Sequence, residues 1–406
     1  MAQNKEAKLE FSKSESIIKK LFKIIYVLFI NLVALFVLLY FLEIFLQFKS
    51  GNLFSKTKFY YQKKLEKEIN NEVVLSFAPY KFFNKNKNII PLSGISNKNT
   101  IMCLDKNNKL IYYKSDRYGF NNTINDENIK ILFIGDSYVY GQCVENKFNL
   151  VNQINKSGLV AVGLGVYANG PLTEYATFKE YSRYFNFDTL VWVFTPDNDF
   201  FDVSKEKKDK ILNRYLKEDN FIQNLFENNK DREKIIYEYL NKRRGRQIRE
   251  FARLYHFDLA IIRNFIKSLG EEKNPTLSFK KRFNYLYDET NYFLVEDILK
   301  KVQGNLISND SDLLVVFNAL NPDIMFPANK ENETLKSVLL NKIESLKNFL
   351  DQNNINYLDF NEKVEMDYTQ ENINEVFNRI RLKWDHYTSK GYAILTQEIL
   401  DLLKNQ

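Results

Sequence analysis

The sequence is short of the residues that break or staple a fold. Thirteen glycines and seven prolines in 406 residues leave no Pro/Gly-rich stretch to act as a linker between domains. Two cysteines, Cys103 and Cys143, exclude a disulfide-dense scaffold and form no C-x-x-C or metal-ligand spacing. One disulfide is open to them if the body lies outside the cytoplasm; the reading adopted is two unpaired small core residues. Only two histidines are present, His256 and His386, so a reaction that needs an imidazole base has two candidates. Excess charge is also scarce. A net +7 spread over 406 residues lacks the concentrated footprint of a nucleic-acid binder. The densest basic cluster, Lys242, Arg243, Arg244, Arg246, Arg249 and Arg253, reads as a solvated helix face, with contact to an anionic glycan or lipid headgroup as the alternative.

What is present is first a membrane signal. Residues Ile24–Leu42 (IIYVLFINLVALFVLLYFL) carry no charge and one amide, Asn31, and about 20 apolar residues span a bilayer core as a helix. Tyr26 and Tyr40 fall near its ends, where aromatic rings suit the interface. A cleaved signal peptide would be followed by small residues; here bulky Glu43-Ile44-Phe45-Leu46-Gln47-Phe48 follows. The expectation is an uncleaved, single-pass anchor. The lysines before the span and the short tail place the N-terminus inside and the body outside, in the periplasm or at the cell exterior. The chain then divides into a cytoplasmic tail over 1–23, the anchor over 24–46, a polar stalk over 47–72 and a lead-in of small strands over 73–128, such as Val73–Phe77 and Leu110–Tyr113.

From residue 129 the pattern alternates. Lys130–Ile134, Leu159–Val162 and Thr189–Phe194 are short apolar runs, as expected of buried parallel strands. Helical stretches from about Val139 or later to Asn155 and over Glu174–Tyr184 separate them. A β-α-β-α-β order implies a parallel sheet with helices on both faces, with its first part over 129–202. Residues 203–308 are highly charged, helical in propensity and without a clear strand, and read as a helical insertion. The sheet resumes over 309–406 with Asp312–Phe317, a helix over Glu331–Asn353, a strand at Tyr357–Phe360 and a closing amphipathic helix over Lys390–Leu403.

Three successive strand ends carry polar groups suited to acyl chemistry. The first runs into Gly135-Asp136-Ser137, which lifts a serine onto a strand-to-helix turn at a helix N-terminus. The second leads to Gly165, whose backbone can approach a ligand closely. The third leads to Asn198 in Thr195-Pro196-Asp197-Asn198-Asp199. Each is also an ordinary turn or cap feature by itself. His386 sits in a loop just before the closing helix, whereas His256 lies in an apolar helical context and reads as structural. In a parallel sheet, groups beyond the carboxyl ends of the strands share one rim. Ser137, Gly165, Asn198 and His386 could therefore surround one carbonyl.

In this order the four segments resemble the SGNH hydrolases, also called GDSL esterases, of the membrane-anchored bacterial type. Ser115-Asp116-Arg117-Tyr118-Gly119-Phe120-Asn121, Gly135-Asp136-Ser137-Tyr138-Val139-Tyr140-Gly141, Gly165 through Gly170-Pro171 with Glu174-Tyr175, Asn198-Asp199-Phe200, and His386-Tyr387-Thr388 with Gly391 carry the likeness. The resemblance covers about 110–200 and 310–405. It implies a three-layer α/β fold with a flavodoxin-like parallel sheet. It also implies Ser137 as nucleophile, His386 as base, an oxyanion hole of the Ser137 and Gly165 amides and the Asn198 side chain, and no metal or cofactor. One departure stands out. The aspartate usual two or three residues before the histidine is replaced by Trp384 and Lys383, and Asp385 adjoins His386 directly. Asp385 completes a triad if the loop bends; otherwise the pair is a Ser–His dyad. The implied activity is cleavage of O-acyl esters, acetyl above all, on cell-surface glycans. An O-acyltransferase using the same site, a non-catalytic glycan-binding protein and a lipase are the rival readings.

Overall fold

The computed structural model describes residues 2–49, 52–83, 88–105, 109–124, 126–253, 283–380 and 383–404, with side chains left undescribed over 2–18, 46–49, 52–59, 246–253 and at 380 and 383–385. It divides into two compact units, Met1–Thr57 with Arg246–Glu272, and Lys58–Gly245 with Lys273–Gln406. His256 lies outside the described residues.

In the first unit, α1 (Ala2–Lys49) contains an apolar stretch, Lys19–Phe45, of 27 residues. At 1.5 Å rise per residue it is roughly 40 Å long, enough to cross a hydrocarbon core about 30 Å thick. Its one amide, Asn31, donates to the Val27 carbonyl at 2.9 Å, so the helix satisfies its own polar side chain, as a lipid environment requires. Phe22, Phe29, Leu32 and Leu38 are each more than 60% exposed, an outward apolar surface that water would not favour.

The second unit begins within α2 (Asn52–Ile69) and continues into β1 (Val73–Leu75), β2 (Asn99–Leu104) and β3 (Leu110–Lys114). These form a three-stranded sheet in which β1 runs parallel to β2 and β2 antiparallel to β3. Here an expectation is overturned. Cys103 on β2 and Cys143, past the first turn of the main domain, are not two unpaired thiols but a disulfide, with Cα atoms 5.7 Å apart. Forty residues separate them in sequence, and only the packing of the small sheet against the main body brings them together.

The main sheet contains β4 (Ile131–Gly135), β5 (Ala161–Gly163), β6 (Thr189–Phe194), β7 (Asp312–Phe317) and β8 (Asn356–Asp359), in spatial order β5-β4-β6-β7-β8, all parallel. That is the flavodoxin-type doubly wound order, whose direction reverses at its first strand. Side chains alternate between two faces with the period of a strand. Leu132, Ile134, Leu190, Trp192, Val315 and Phe317 enter one core. Ile131, Phe133, Val191, Val193, Leu314 and Val316 enter the other. Between the strands run α3 (Ser137–Tyr140), α4 (Leu150–Lys156), α5 (Pro171–Tyr181), α6 (Pro196–Glu206), α7 (Lys210–Lys217), α8 (Asn229–Arg253), α9 (Glu289–Ile307), α10 (Pro322–Met325), α11 (Lys330–Gln352) and α12 (Phe360–Asp367). Helices α5, α9 and α11 bury Tyr175, Phe178, Val295, Ile298, Val302, Leu339 and Ile343 on the first face. Helices α4, α12 and the closing α13 (Ser389–Lys404) bury Leu150, Ile154, Phe360, Val364, Leu395 and Ile399 on the second.

Three further sequence expectations need correction. The stretch from Val139 to Asn155 is not one helix: α3 ends at Gly141, whose left-handed backbone (φ 72°) caps it, and Asn149 starts α4 by accepting from the Asn152 amide. The charged region 203–308 is not wholly outside the sheet layers. Helix α9 carries Tyr292, Val295, Ile298, Leu299, Val302 and Leu306 into the core at helical spacing; it is the crossover helix into β7, disguised by the charged Glu296, Asp297, Lys300 and Lys301 between its buried positions. Helix α8 is pinned by Arg232, fully buried, which donates to Ser93, the Tyr118 carbonyl and Tyr181 at 2.9, 3.2 and 2.9 Å, and to Ser96 at 2.8 Å. Finally, His386 is in a strand rather than a loop: β9 (Phe377–Ile380) pairs antiparallel with β10 (Lys383–Tyr387).

Candidate active site

The carboxyl end of β4 passes through Gly135 into Asp136 and Ser137. Asp136 is the N-cap of α3, accepting from the Tyr138 amide at 3.0 Å, a cap worth about 1 kcal/mol. Ser137 is thereby the first residue of that helix, 5% exposed. Its Oγ lies 2.7 Å from His386 Nε2 and 3.3 Å from Asp136 Oδ2. Residues 249 positions apart in the chain are thus within hydrogen-bonding reach.

The imidazole is placed by its neighbour. Tyr387 is fully buried; its hydroxyl accepts from the Ala319 amide at 3.0 Å and donates to Asn318 Oδ1 at 3.2 Å. Its carbonyl accepts from Asn378 at 2.9 Å. With that side chain locked into the core, the preceding residue of the strand points the other way, toward the serine. The His386 ring lies 5.0 Å from the Tyr138 ring, which in turn lies 4.6 Å from Tyr387. Asp385 lies in β10, and its side chain is outside the described residues.

Asn198 arrives from the end of β6, within the first turn of α6. Its Nδ2 donates to Asp136 Oδ2 at 2.9 Å, which leaves one N–H of the amide for another acceptor. Gly165 arrives from the end of β5. A methyl group there would meet the Tyr140 nitrogen at 2.5 Å and Val139 carbonyl carbon at 2.8 Å. Only glycine lets this loop lie against the backbone of α3. The structure therefore brings Ser137, His386, Asn198 and Gly165 to one rim. A cavity of about 20 Å³ borders Gly165, Tyr140, Ser76 and Tyr113; it has room for roughly one water and is no acyl pocket.

The rim is acidic beneath its surface, which the sequence reading missed. Asp136, fully buried, is held above the usual carboxylate range by burial, an effect the Asn198 amide, the Tyr138 amide and His386 oppose. Asp197 is pushed up to about 6 by burial and by the Asp136 charge, while the Asn321 amide and His386 pull it down. By reciprocity both carboxylates favour a positive imidazole. Below them Glu174 accepts from Trp192 at 2.7 Å and Asp199 from the Thr195 amide at 2.6 Å. Burial raises both carboxyls well above normal; the Asp136 charge adds to both, and Glu174 adds to Asp199. The one available signal was the N-cap position of Asp136 directly before the serine. Among the described residues, no group of three or more His, Cys, Asp or Glu is arranged to hold a metal.

The sequence matches no family model and no curated protein. The chain is similar in structure to an acetyl xylan esterase, at 12% identity and a TM-score of 0.36 over 68% of this chain and 99% of that one. It is also similar to a putative acylhydrolase from Bacteroides fragilis, at 12% identity and a TM-score of 0.36 over 69% and 88% of the two chains. A GDSL-like lipase from Bacteroides thetaiotaomicron matches at 9% identity, with a TM-score of 0.34 over 69% and 88%.

Proposed function

We propose that this chain is a membrane-anchored serine esterase that cleaves O-acyl esters through an acyl-enzyme. The observation that carries the reading is the 2.7 Å approach of His386 Nε2 to Ser137 Oγ. With the ring proton on Nδ1, Nε2 accepts the serine proton as Oγ attacks the ester carbonyl. The carbonyl oxygen gains the negative charge, facing the Ser137 and Gly165 amides and the second N–H of Asn198. Collapse breaks the ester C–O bond, and His386 returns its proton to the leaving alcohol. Water then repeats the sequence on the acyl-serine, releasing the carboxylic acid and restoring both side chains. A sugar hydroxyl in place of that water would make the same site an acyltransferase.

In this account the imidazolium is stabilised by Asp136 and Asp197, whose charges face it, whatever Asp385 contributes. The substrate class is an acylated glycan at the cell surface. The Lys19–Phe45 stretch anchors the protein and the body faces outward, a placement supported by the Cys103–Cys143 disulfide, which an oxidising compartment preserves. Protease added to spheroplasts with a sealed cytoplasmic membrane should digest the body if it does, and spare it if it faces inward.

Hydrolysis of p-nitrophenyl acetate by the purified full chain tests the activity. Wild type turns it over, and Ser137→Ala and His386→Ala each lose at least about 10³-fold in kcat. Equal rates for wild type and Ser137→Ala would remove the reading.

A further inference from the structure

Strands β5, β4 and β6 lead to Gly165, Ser137 and Asn198. Strand β7, next to β6, leads to Asn318, which takes no part in the chemistry above. Asn318 is fully buried, and its backbone amide extends the ladder by donating to the Phe194 carbonyl at 2.8 Å. Its side-chain amide is engaged at both atoms. Nδ2 donates to Thr195 Oγ1 at 2.8 Å, and Oδ1 accepts from the Tyr387 hydroxyl at 3.2 Å. That hydroxyl accepts from the Ala319 amide at 3.0 Å and so has its own proton to give. The Asn318 oxygen therefore faces Tyr387 and its N–H₂ faces Thr195. A primary amide carries donor and acceptor on one planar group; leucine, of similar size, carries neither.

Each partner adjoins a group of the site. Thr195 is the N-cap of α6. A threonine there ordinarily turns its hydroxyl oxygen to the first-turn amides. This one makes no such bond and accepts from Asn318 instead. Its carbonyl accepts from the Asn198 and Asp199 amides at 3.1 and 2.8 Å, and its amide donates to Asp199 Oδ2 at 2.6 Å. Where Thr195 is held, the turn that carries Asn198 is held with it. Tyr387 follows His386 in β10, and side chains of successive strand residues point to opposite sides, so holding Tyr387 aims the imidazole. Buried networks with every member satisfied hold more firmly than their separate bonds. We infer that Asn318 is a positioning residue: by bridging Thr195 and Tyr387 it keeps the Asn198 amide and the His386 imidazole in register over Ser137. The inference rests on the esterase reading only for its effect on rate; the bridge itself is read without turnover.

The test removes the bridge whole and one bond at a time in the detergent-solubilised full chain, with thermal unfolding confirming that each variant folds. Asn318→Leu should lower kcat for p-nitrophenyl acetate about tenfold or more while KM stays within about twofold. Tyr387→Phe and Thr195→Val should each lose part of that rate. Adding Asn318→Leu to the two together should change kcat by less than about twofold, since no bond to Asn318 is left to break. A second readout needs no turnover. The chain has two histidines, so isotope-labelled histidine gives two ring signals by NMR, and His386→Ala identifies which belongs to His386. Thr195→Val should shift or broaden that signal, and should do so far less once Asn318→Leu is present. The same change with and without Asn318 overturns the inference, as does wild-type kcat in a folded Asn318→Leu. Should Asn318→Leu fail to fold, an undiminished kcat in both Tyr387→Phe and Thr195→Val overturns it. A wild type that does not hydrolyse the ester defeats the esterase reading alone, and the His386 signal still decides the bridge.

Discussion

The Asn198 amide donates to the buried Asp136 carboxylate at 2.9 Å, fastening the end of β6 to the end of β4 directly before Ser137. The same carboxylate caps the helix that begins at Ser137 and lies 3.3 Å from its hydroxyl. One acidic side chain thus sets the helix that carries the serine, the orientation of the Asn198 amide and the field around the imidazole.

Asp136→Asn separates these roles. Asparagine is as good an N-cap as aspartate, so the melting temperature should change little. The negative charge beside His386 is gone, and the Asn198 amide loses an ionised acceptor. Steady-state kinetics should show kcat/KM down by about 10²-fold or more, whereas Asp136→Ala should lose the activity and about 1 kcal/mol of stability together.

Gly165→Ala is expected to fail for a backbone reason. The added methyl meets the Tyr140 nitrogen at 2.5 Å and the Val139 Cβ at 2.7 Å, neither the end of a flexible side chain. The loop must move off α3 and carry the Gly165 amide with it. The expected outcome is a loss of kcat of about 10²-fold with a smaller change in KM, read by the same ester assay. A fully active Gly165→Ala would remove that amide from the oxyanion hole.

Arg232→Met should destabilise the body by about 2–4 kcal/mol, measured by denaturant unfolding. The substitution leaves Ser93, Ser96 and Tyr181 without their shared donor, and packing of α8 against the small sheet weakens.

Stability should fall as pH rises through neutrality. Burial, first among the causes, pushes Asp197 and Asp202 up to about 6 and Glu206 up to about 7. An unfolded carboxyl titrates near ~4, so between there and 6 to 7 the folded chain holds protons that the unfolded chain has lost. Their contribution is fully present below ~4 and is lost through 6 and 7. Asp288 opposes this at the acid end: its hydrogen bond to Lys207 lowers it to about 2, so its contribution fades as pH falls toward 2. The melting temperature should be higher at pH 5 than at pH 8; a steady rise from 5 to 8 would contradict the assignment.

Much of this architecture is legible in the amino-acid sequence. Ile131–Ile134, Thr189–Phe194 and Asp312–Phe317 are buried on both faces, so their apolar runs are continuous and bounded by polar turns, and the strands fall where the runs do. The groups at their ends share one rim because the strands run parallel. What stayed hidden depended on long-range pairing. Strand β10 almost adjoins α13 and reads as a loop because its pairing with β9 is set by the packing of Tyr387. Helix α9 reads as solvated because its charged residues, Glu289, Glu296, Asp297, Lys300 and Lys301, fall between the buried positions. The Cys103–Cys143 bond joins two elements whose proximity no local pattern records.

The central claim is that Ser137 is an activated nucleophile because His386 accepts its proton. Labelling of the folded full chain with a fluorophosphonate, followed by mass spectrometry of the modified peptide, tests it directly. The account predicts one adduct, on Ser137, formed rapidly in wild type and at least about 10²-fold more slowly in His386→Ala. An unlabelled Ser137, or labelling at the same rate without the imidazole, would contradict it.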